Sequence, residues 1–328
     1  MKTALKYCGQ KWLRSVGFFL FMLAGGAALA QTPYPNRPIR FVLGFAPAGP
    51  TDILARVLSK RLSEVLGQPI IIDNRPGADS LIATKAVAQS VPDGYTLLIA
   101  SGSHAINPSL YPEDKTDPVK EFSAIGIIGD SPNFLVVNAA VPVRSVTELI
   151  DMARKNPGKL NYASTASTTH LQTELFNSMA GIDIVSIPYK GFGPAVPALL
   201  SNEVQIAVSS VVSLLPHVKS GKLIALAVTS AKRSSLAPDV PTVTEKGLPG
   251  YVASTWYGML APANTPVAIV RQLNSTLNRV MAEPEVRTQL LNLGLEPMPT
   301  TPDEFTRFIQ EDRDKWAKLM AGLKKPAI

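Results

Sequence analysis

Short β-branched runs alternate with helical patterns along nearly the whole chain, and this alternation restricts the fold more than any other feature. "IRFVLGF" (39–45) reads as a strand. The segment after it, "ILARVLSKRLSEVLG", reads as a helix with Ile53, Leu54, Val57, Leu58, Leu62 and Val65 on one broad face. Gly67 stands where a C-terminal cap belongs. The rhythm continues through "YTLLIA", "FSAIGIIG", "FLVVN", "VTELIDMARKN", "LNYAS", "TTHLQTELFNSMAG", "VQIAVSS" and "LIALAVTS". Strands of this kind separated by helices predict an α/β fold with parallel sheets. Two helices are expected near the C-terminus, "PVAIVRQLNSTLNRVMAE" and "PDEFTRFIQEDRDKWAKLMAGL". The second carries Phe305, Phe308, Ile309, Trp316 and Leu319 as its apolar side.

Residues 1–30 read as a cleavable signal peptide. Lys2, Lys6, Lys11 and Arg14 precede an apolar run, "VGFFLFMLAGG", and Ala28-Leu29-Ala30 forms a small-x-small cleavage signal before Gln31. The run is shorter than the ~20 apolar residues that span a bilayer. The mature chain is therefore expected to be exported and periplasmic. Cys8, the one cysteine, lies in this leader, so the mature chain is without disulfides, thiolate metal sites or cysteine nucleophiles. Removing 30 of 328 residues leaves 298, which at roughly 150 residues per domain points to two domains. The four basic leader residues account for the drop in net charge from +7 to +3. With no dense Lys/Arg stripe interleaved with aromatics, nucleic acid is not an expected partner.

Function should sit in the strand-to-helix loops, because ligands of open α/β sheets bind beyond the C-terminal ends of the strands. Four loops have suitable chemistry: "FAPAGPTD" (45–52), "ASGSHAIN" (100–107), "ASTASTTH" (163–170) and "YKGFGPA" (189–195); "SSVVS" (209–213) is a fifth. The candidate ligand contacts are Phe45, Ala48, Gly49, Thr51 and Asp52 in the first loop, then Ser101 and His104, then Ser164, Ser167, Thr168 and His170, then Lys190 and Gly191, and finally Ser209. Helix N-termini present unbonded N–H groups and a partial positive charge, which suits an anion. Ordinary capping explains any one such loop; their recurrence points to a shared ligand. Asp52 is expected to cap its own helix, with Thr51 competing, leaving the Ala48 and Gly49 N–H groups for a ligand.

Other chemistries find little support. There is no phosphate-binding G-x-x-x-x-G-K-[ST], and the nearest approach to a dinucleotide fingerprint, "GFGPAV", lacks the third glycine. There is no G-x-S-x-G, S-x-x-K or H-E-x-x-H, and His104, His170 and His217 lack metal-ligand spacing. No enzymatic activity, cofactor or metal is expected.

"YPNRPIRFVLGFAPAGPTDILAR", "NRPGA", "PDGYTLL", "HAINPSLY", "IPYKG", "LPHVKSGKLIALAVTS", "PDVPTVTEKGLPGY", "WYGMLAPANTP" and "LGLEPMPTTPDEF" follow one another in order. Together they resemble the periplasmic solute-binding receptors of tripartite tricarboxylate transporters, the Bug or TctC family, over nearly all of the mature chain. The resemblance implies a two-lobed, type II-like periplasmic-binding-protein clamshell with the ligand cleft between its lobes. It implies a small organic acid or amino acid as ligand, its carboxylate held by loop backbone and hydroxyls rather than by arginine. It also implies membrane transporter subunits as partners. Residues 32–130 with 256–328 are expected to form one lobe and 131–255 the other, in a monomer. A ligand-presenting component of a signalling system would share fold and pocket. Three departures from the family pattern bear on specificity: Ala48 replaces the usual first glycine, 164–169 is shorter and lacks glycine, and Ser209 and Ser210 replace an acidic residue and an asparagine.

Overall fold

A computed structural model of the chain describes residues 34–165, 167–189 and 192–322. The expected leader and the candidate contacts Lys190 and Gly191 lie outside the described residues. By its contacts the chain divides into Met1–Asn36 and Arg37–Ile328, and the sheets and helices belong to the second unit.

The chain begins β1 (Ile39–Leu43), α1 (Pro50–Leu66), β2 (Ile70–Asn74), α2 (Leu81–Ala88), β3 (Thr96–Ser101), α3 (Ser103–Leu110) and β4 (Phe122–Ser131). It continues β5 (Asn133–Asn138), α4 (Val146–Lys155), β6 (Asn161–Ser164), α5 (Ser167–Ala180), β7 (Val185–Pro188), α6 (Phe192–Leu200), β8 (Ile206–Ser210), α7 (Val211–Lys219) and β9 (Leu223–Val228). It ends β10 (Thr255–Pro262), α8 (Val267–Ala282), α9 (Pro284–Asn292), β11 (Glu296–Pro297) and α10 (Pro302–Gly322). Two sheets result, ordered β11-β4-β10-β3-β1-β2 and β7-β6-β8-β5-β9.

The sheets are mixed, which corrects the expectation of parallel sheets. β1 pairs in parallel with β2 and β3, and β6 with β7 and β8. β10, however, is antiparallel to β3 and β4, and β5 is antiparallel to β8 and β9. The reason lies in how these strands arrive. Parallel neighbours need a crossover connection, whereas antiparallel ones do not. β5 follows β4 across the single residue Pro132, and β10 returns from the second sheet after residues 229–254. Each enters its sheet by passing from the other one, not by crossing over a helix.

β10 anchors the C-terminal helix. Trp256 donates its indole N–H to Asp312 (2.8 Å) and meets Phe305 and Phe308 edge-on at 5.6 and 5.7 Å. The expected apolar side of α10 is therefore inside: Phe305, Ile309, Trp316 and Leu319 are buried, and Phe308 packs against them partly covered. Gly258 is required by this packing, since a Cβ there would enter the Phe305 ring. Between α8 and α10 the structure has a helix not anticipated from sequence, α9, with Pro284 in its first turn.

Where the chain passes between the sheets, Asp130 on β4 lies opposite Trp256 on β10 and Glu296 on β11. Burial pushes its carboxyl up to about 6, against a hydrogen bond from Ser254 and the charge of Lys315; Glu296 and Asp312 add to the rise. A raised folded-state value means that the native chain holds this proton more tightly than the unfolded chain does. Stability is then lost as pH rises from the ordinary carboxylate value of roughly 3.9 to about 6, and the cost is constant above that. Asp130→Asn should raise the denaturation midpoint at pH 7–8, and the gap should close near pH 4; equal midpoints at both pH values would contradict this placement.

Candidate functional site

The C-terminal ends of β1 and β3, the turn after β2, the first turn of α5 and the start of β10 surround a cavity of about 700 Å³. The β1–α1 loop supplies one wall from Phe45 to Thr51. Asp79, Ser101 and Ser103 form a second wall. Ser167 and Thr168 face in from α5, and Thr255 and Tyr257 from β10. Register explains part of this grouping, because Tyr257 lies opposite Ser101 across β10 and β3.

The first loop is shaped by Asp52. α1 begins at Pro50, with Gly49 as N-cap and no side-chain capping bond. Asp52 is thus inside the first turn, and its carboxylate reaches back to the Ala48 N–H (3.0 Å). Arg56, one turn on, donates to both Asp52 oxygens at 2.9 and 3.1 Å. The Arg56 hydrogen bond leads in holding the Asp52 carboxyl below the usual range, against burial and with the Ala48 N–H helping. Ala48 takes φ +64°, a left-handed conformation that glycine adopts at lower cost. Asn74 ties the loop from the other side through the Phe45 carbonyl (3.0 Å).

These bonds correct the expected roles. Asp52 is not the N-cap and does not line the cavity, and neither loop N–H is left for a ligand. Ala48 donates to Asp52, and Gly49 donates to the Ala46 carbonyl (3.4 Å). The donors that α1 directs outward are the N–H groups of Thr51 and Asp52, which have no acceptor within the helix.

The other candidates divide. Phe45, Ala48, Gly49, Thr51, Ser101, Ser167 and Thr168 all line the cavity. His104 does not: it is buried, with Nε2 2.9 Å from the Pro118 carbonyl and its ring edge-on to Phe122. Burial pushes it down to about 4, so it is a neutral core histidine. His170 is also turned aside, with Nδ1 2.6 Å from the Tyr162 hydroxyl, which donates to Glu174 (2.8 Å). Ser164 ends β6, where its carbonyl accepts the Tyr189 N–H (2.8 Å). Ser209 is buried in β8 opposite Phe134. A seryl or histidyl residue in a loop carries no sequence mark of where its side chain points.

Sequence reading missed Asp79, Ser103, Thr255 and Tyr257. Ser103 was legible as the second serine of "ASGSHAIN". Asp79 lies outside the loops singled out from the sequence, and β10 was not read as a strand. Burial pushes the Tyr257 phenol up to about 12, so it is neutral at physiological pH. Asp79 is the one charged side chain among the described residues lining the cavity. No group of three or more His, Cys, Asp or Glu suited to a metal occurs among the described residues. Hydroxyls and the starts of two helices thus gather at one cavity with no cationic side chain among its described lining residues.

Residues 54–324 match the sequence model described as "Tripartite tricarboxylate transporter family receptor". Protein BugT of Bordetella pertussis is 38% identical over 312 residues, spanning 94% of this chain and 96% of the relative. The solved structure "R. palustris Rpa4515 with adipate" is 36% identical with a TM-score of 0.73, covering 88% of this chain and 97% of that one. "Structure of periplasmic binding protein BugD" is 32% identical with a TM-score of 0.70, covering 88% and 98%. The two-sheet architecture is that of the two-lobed periplasmic binding proteins.

Asp52→Ala removes the acceptor that fixes the loop. It should lower stability by about 1–2 kcal/mol, the usual loss when a helix start loses its side-chain acceptor. Because the folded-state value is depressed, the stabilisation is complete above roughly pH 3.9 and fades as pH falls through the lower folded value. Denaturation midpoints of wild type and variant should differ at neutral pH and converge in acid; a constant difference would contradict the ionised role.

Proposed function

The chain belongs to the tripartite tricarboxylate transporter receptor family, and we propose that it captures a small organic acid or amino acid for membrane transporter subunits. The family is one of substrate-binding receptors, not of enzymes. The observation that carries the ligand class is the lining of the 700 Å³ cavity, in which hydroxyls and the starts of α1 and α5 gather around one space. Neutral, fixed donors stabilise a carboxylate without the long-range attraction of an arginine. The same class is supported by the relative solved with adipate.

In this reading, residues 32–130 with 256–328 form one lobe and 131–255 the other. Ser167, Thr168 and Thr255 come from the second lobe, and the remaining described contacts come from the first. Hinge closure would bring the two sets onto the ligand. The receptor works as an exported monomer in the periplasm after loss of residues 1–30, and docking to its membrane subunits follows closure.

Native mass spectrometry of protein taken from the periplasm without refolding should show a stoichiometric organic acid or amino acid. Adding that compound to emptied protein should raise the melting temperature, since a ligand held only by the folded state stabilises it. Tight binding of a neutral compound, with no carboxylate bound in calorimetry, would overturn the reading.

A further inference from the structure

Asp79 has few hydrogen-bond partners for a carboxyl group on a cavity wall. Its Oδ1 accepts one hydrogen bond, from the Ser103 hydroxyl at 3.2 Å, while Oδ2 is enclosed and has no hydrogen-bond partner. A carboxylate offers about four acceptor sites, and enclosed charges are normally paired. Asp52, behind the neighbouring wall, shows the ordinary outcome, with the Ala48 N–H and two Arg56 nitrogens around it. Among the described residues Asp79 forms no such ion pair.

The backbone holds this side chain on the cavity wall at a cost. Ala78, Asp79 and Ser80 take φ of +44°, +49° and +79° in succession, following Gly77 at +134°. Non-glycine residues persist in this region only where their surroundings force them. Here Asn107 donates to the Asp79 carbonyl (3.0 Å), and Ser80 is packed against Gly44 so closely that a Cβ on that glycine would overlap it. Ser103 and Asn107 lie one turn apart on α3, so one helix face clamps both the side chain and the main chain of Asp79. The broad torsion about the carboxylate exchanges its two oxygens, so a donor arriving from the cavity can be met without moving the backbone.

We propose that Asp79 recognises a cationic nitrogen on the ligand, so that this receptor takes an amino acid in preference to an unsubstituted dicarboxylate. The proposal rests on the reading of the cavity as a small-acid site. An ammonium brings up to three donors to a carboxylate that has one, and it cancels the only charge on the described lining. A second ligand carboxylate at that place would instead meet a like charge in a partly enclosed site. The ligand carboxylate then belongs at the starts of α1 and α5, and the ammonium at Asp79.

Isothermal titration calorimetry with matched pairs tests this: succinate against aspartate, glutarate against glutamate, and adipate against 2-aminoadipate. In at least one pair the amino member should bind wild type about tenfold or more tightly than its partner, the scale of one charge-assisted hydrogen bond. Asp79→Asn, which suits the left-handed backbone, should reduce that preference about tenfold. Asp79→Gly, which relieves the backbone strain, should do the same and guards against a folding defect in the first variant. Equal or tighter binding of the unsubstituted acids, or a preference unchanged in both variants, overturns the role of Asp79 and leaves the small-acid reading intact. No binding by any member of any pair overturns both.

Discussion

Asp52 is buried in the first turn of α1, where its two oxygens take the Ala48 N–H and the fork of Arg56. That geometry bends the β1–α1 loop through a left-handed residue and turns the start of α1 toward the cavity. The proposed anion site, having no cationic side chain among its described lining, would depend on donors that cannot swing away, because each neutral hydrogen bond contributes only about 1 kcal/mol. Fixing the loop is what makes first-turn N–H groups usable, since no reorganisation is left to oppose binding. The carboxylate that does this never faces the ligand space.

The alternation of strands and helices was legible because each element has a local signature: β-branched runs, amphipathic spacing, and glycine at a helix end. The direction of β5 and β10 was not, since it depends on how the chain passes from one sheet to the other. Pro132 and the segment 229–254 say nothing locally about that route. Loops that line the cavity could be found, because small and hydroxylated residues after a strand are a positional signal. The aim of individual side chains could not. His104 and His170 lie in the right loops, yet a core carbonyl claims one and the Tyr162–Glu174 pair claims the other. Asp79 escaped notice because its place on the cavity wall comes from a left-handed turn held by tertiary packing against Gly44 and Asn107.

Two acidic groups in this unit show how surroundings divide one chemistry into different roles. Asp52 is held ionised by an arginine and a backbone N–H, and it serves the frame. Asp130 is driven toward protonation by burial where the chain passes between the sheets, so it makes that region sensitive to pH. Local partners, not residue type, decide which carboxylate builds and which one titrates.

The most direct test of the account is a structure of the complex with the acid that binds. A ligand carboxylate within hydrogen-bonding distance of the Thr51 or Asp52 N–H, or of the Ser167 or Thr168 hydroxyls, is the predicted result. A carboxylate that meets none of these donors, or a ligand lodged outside the cavity, would contradict it.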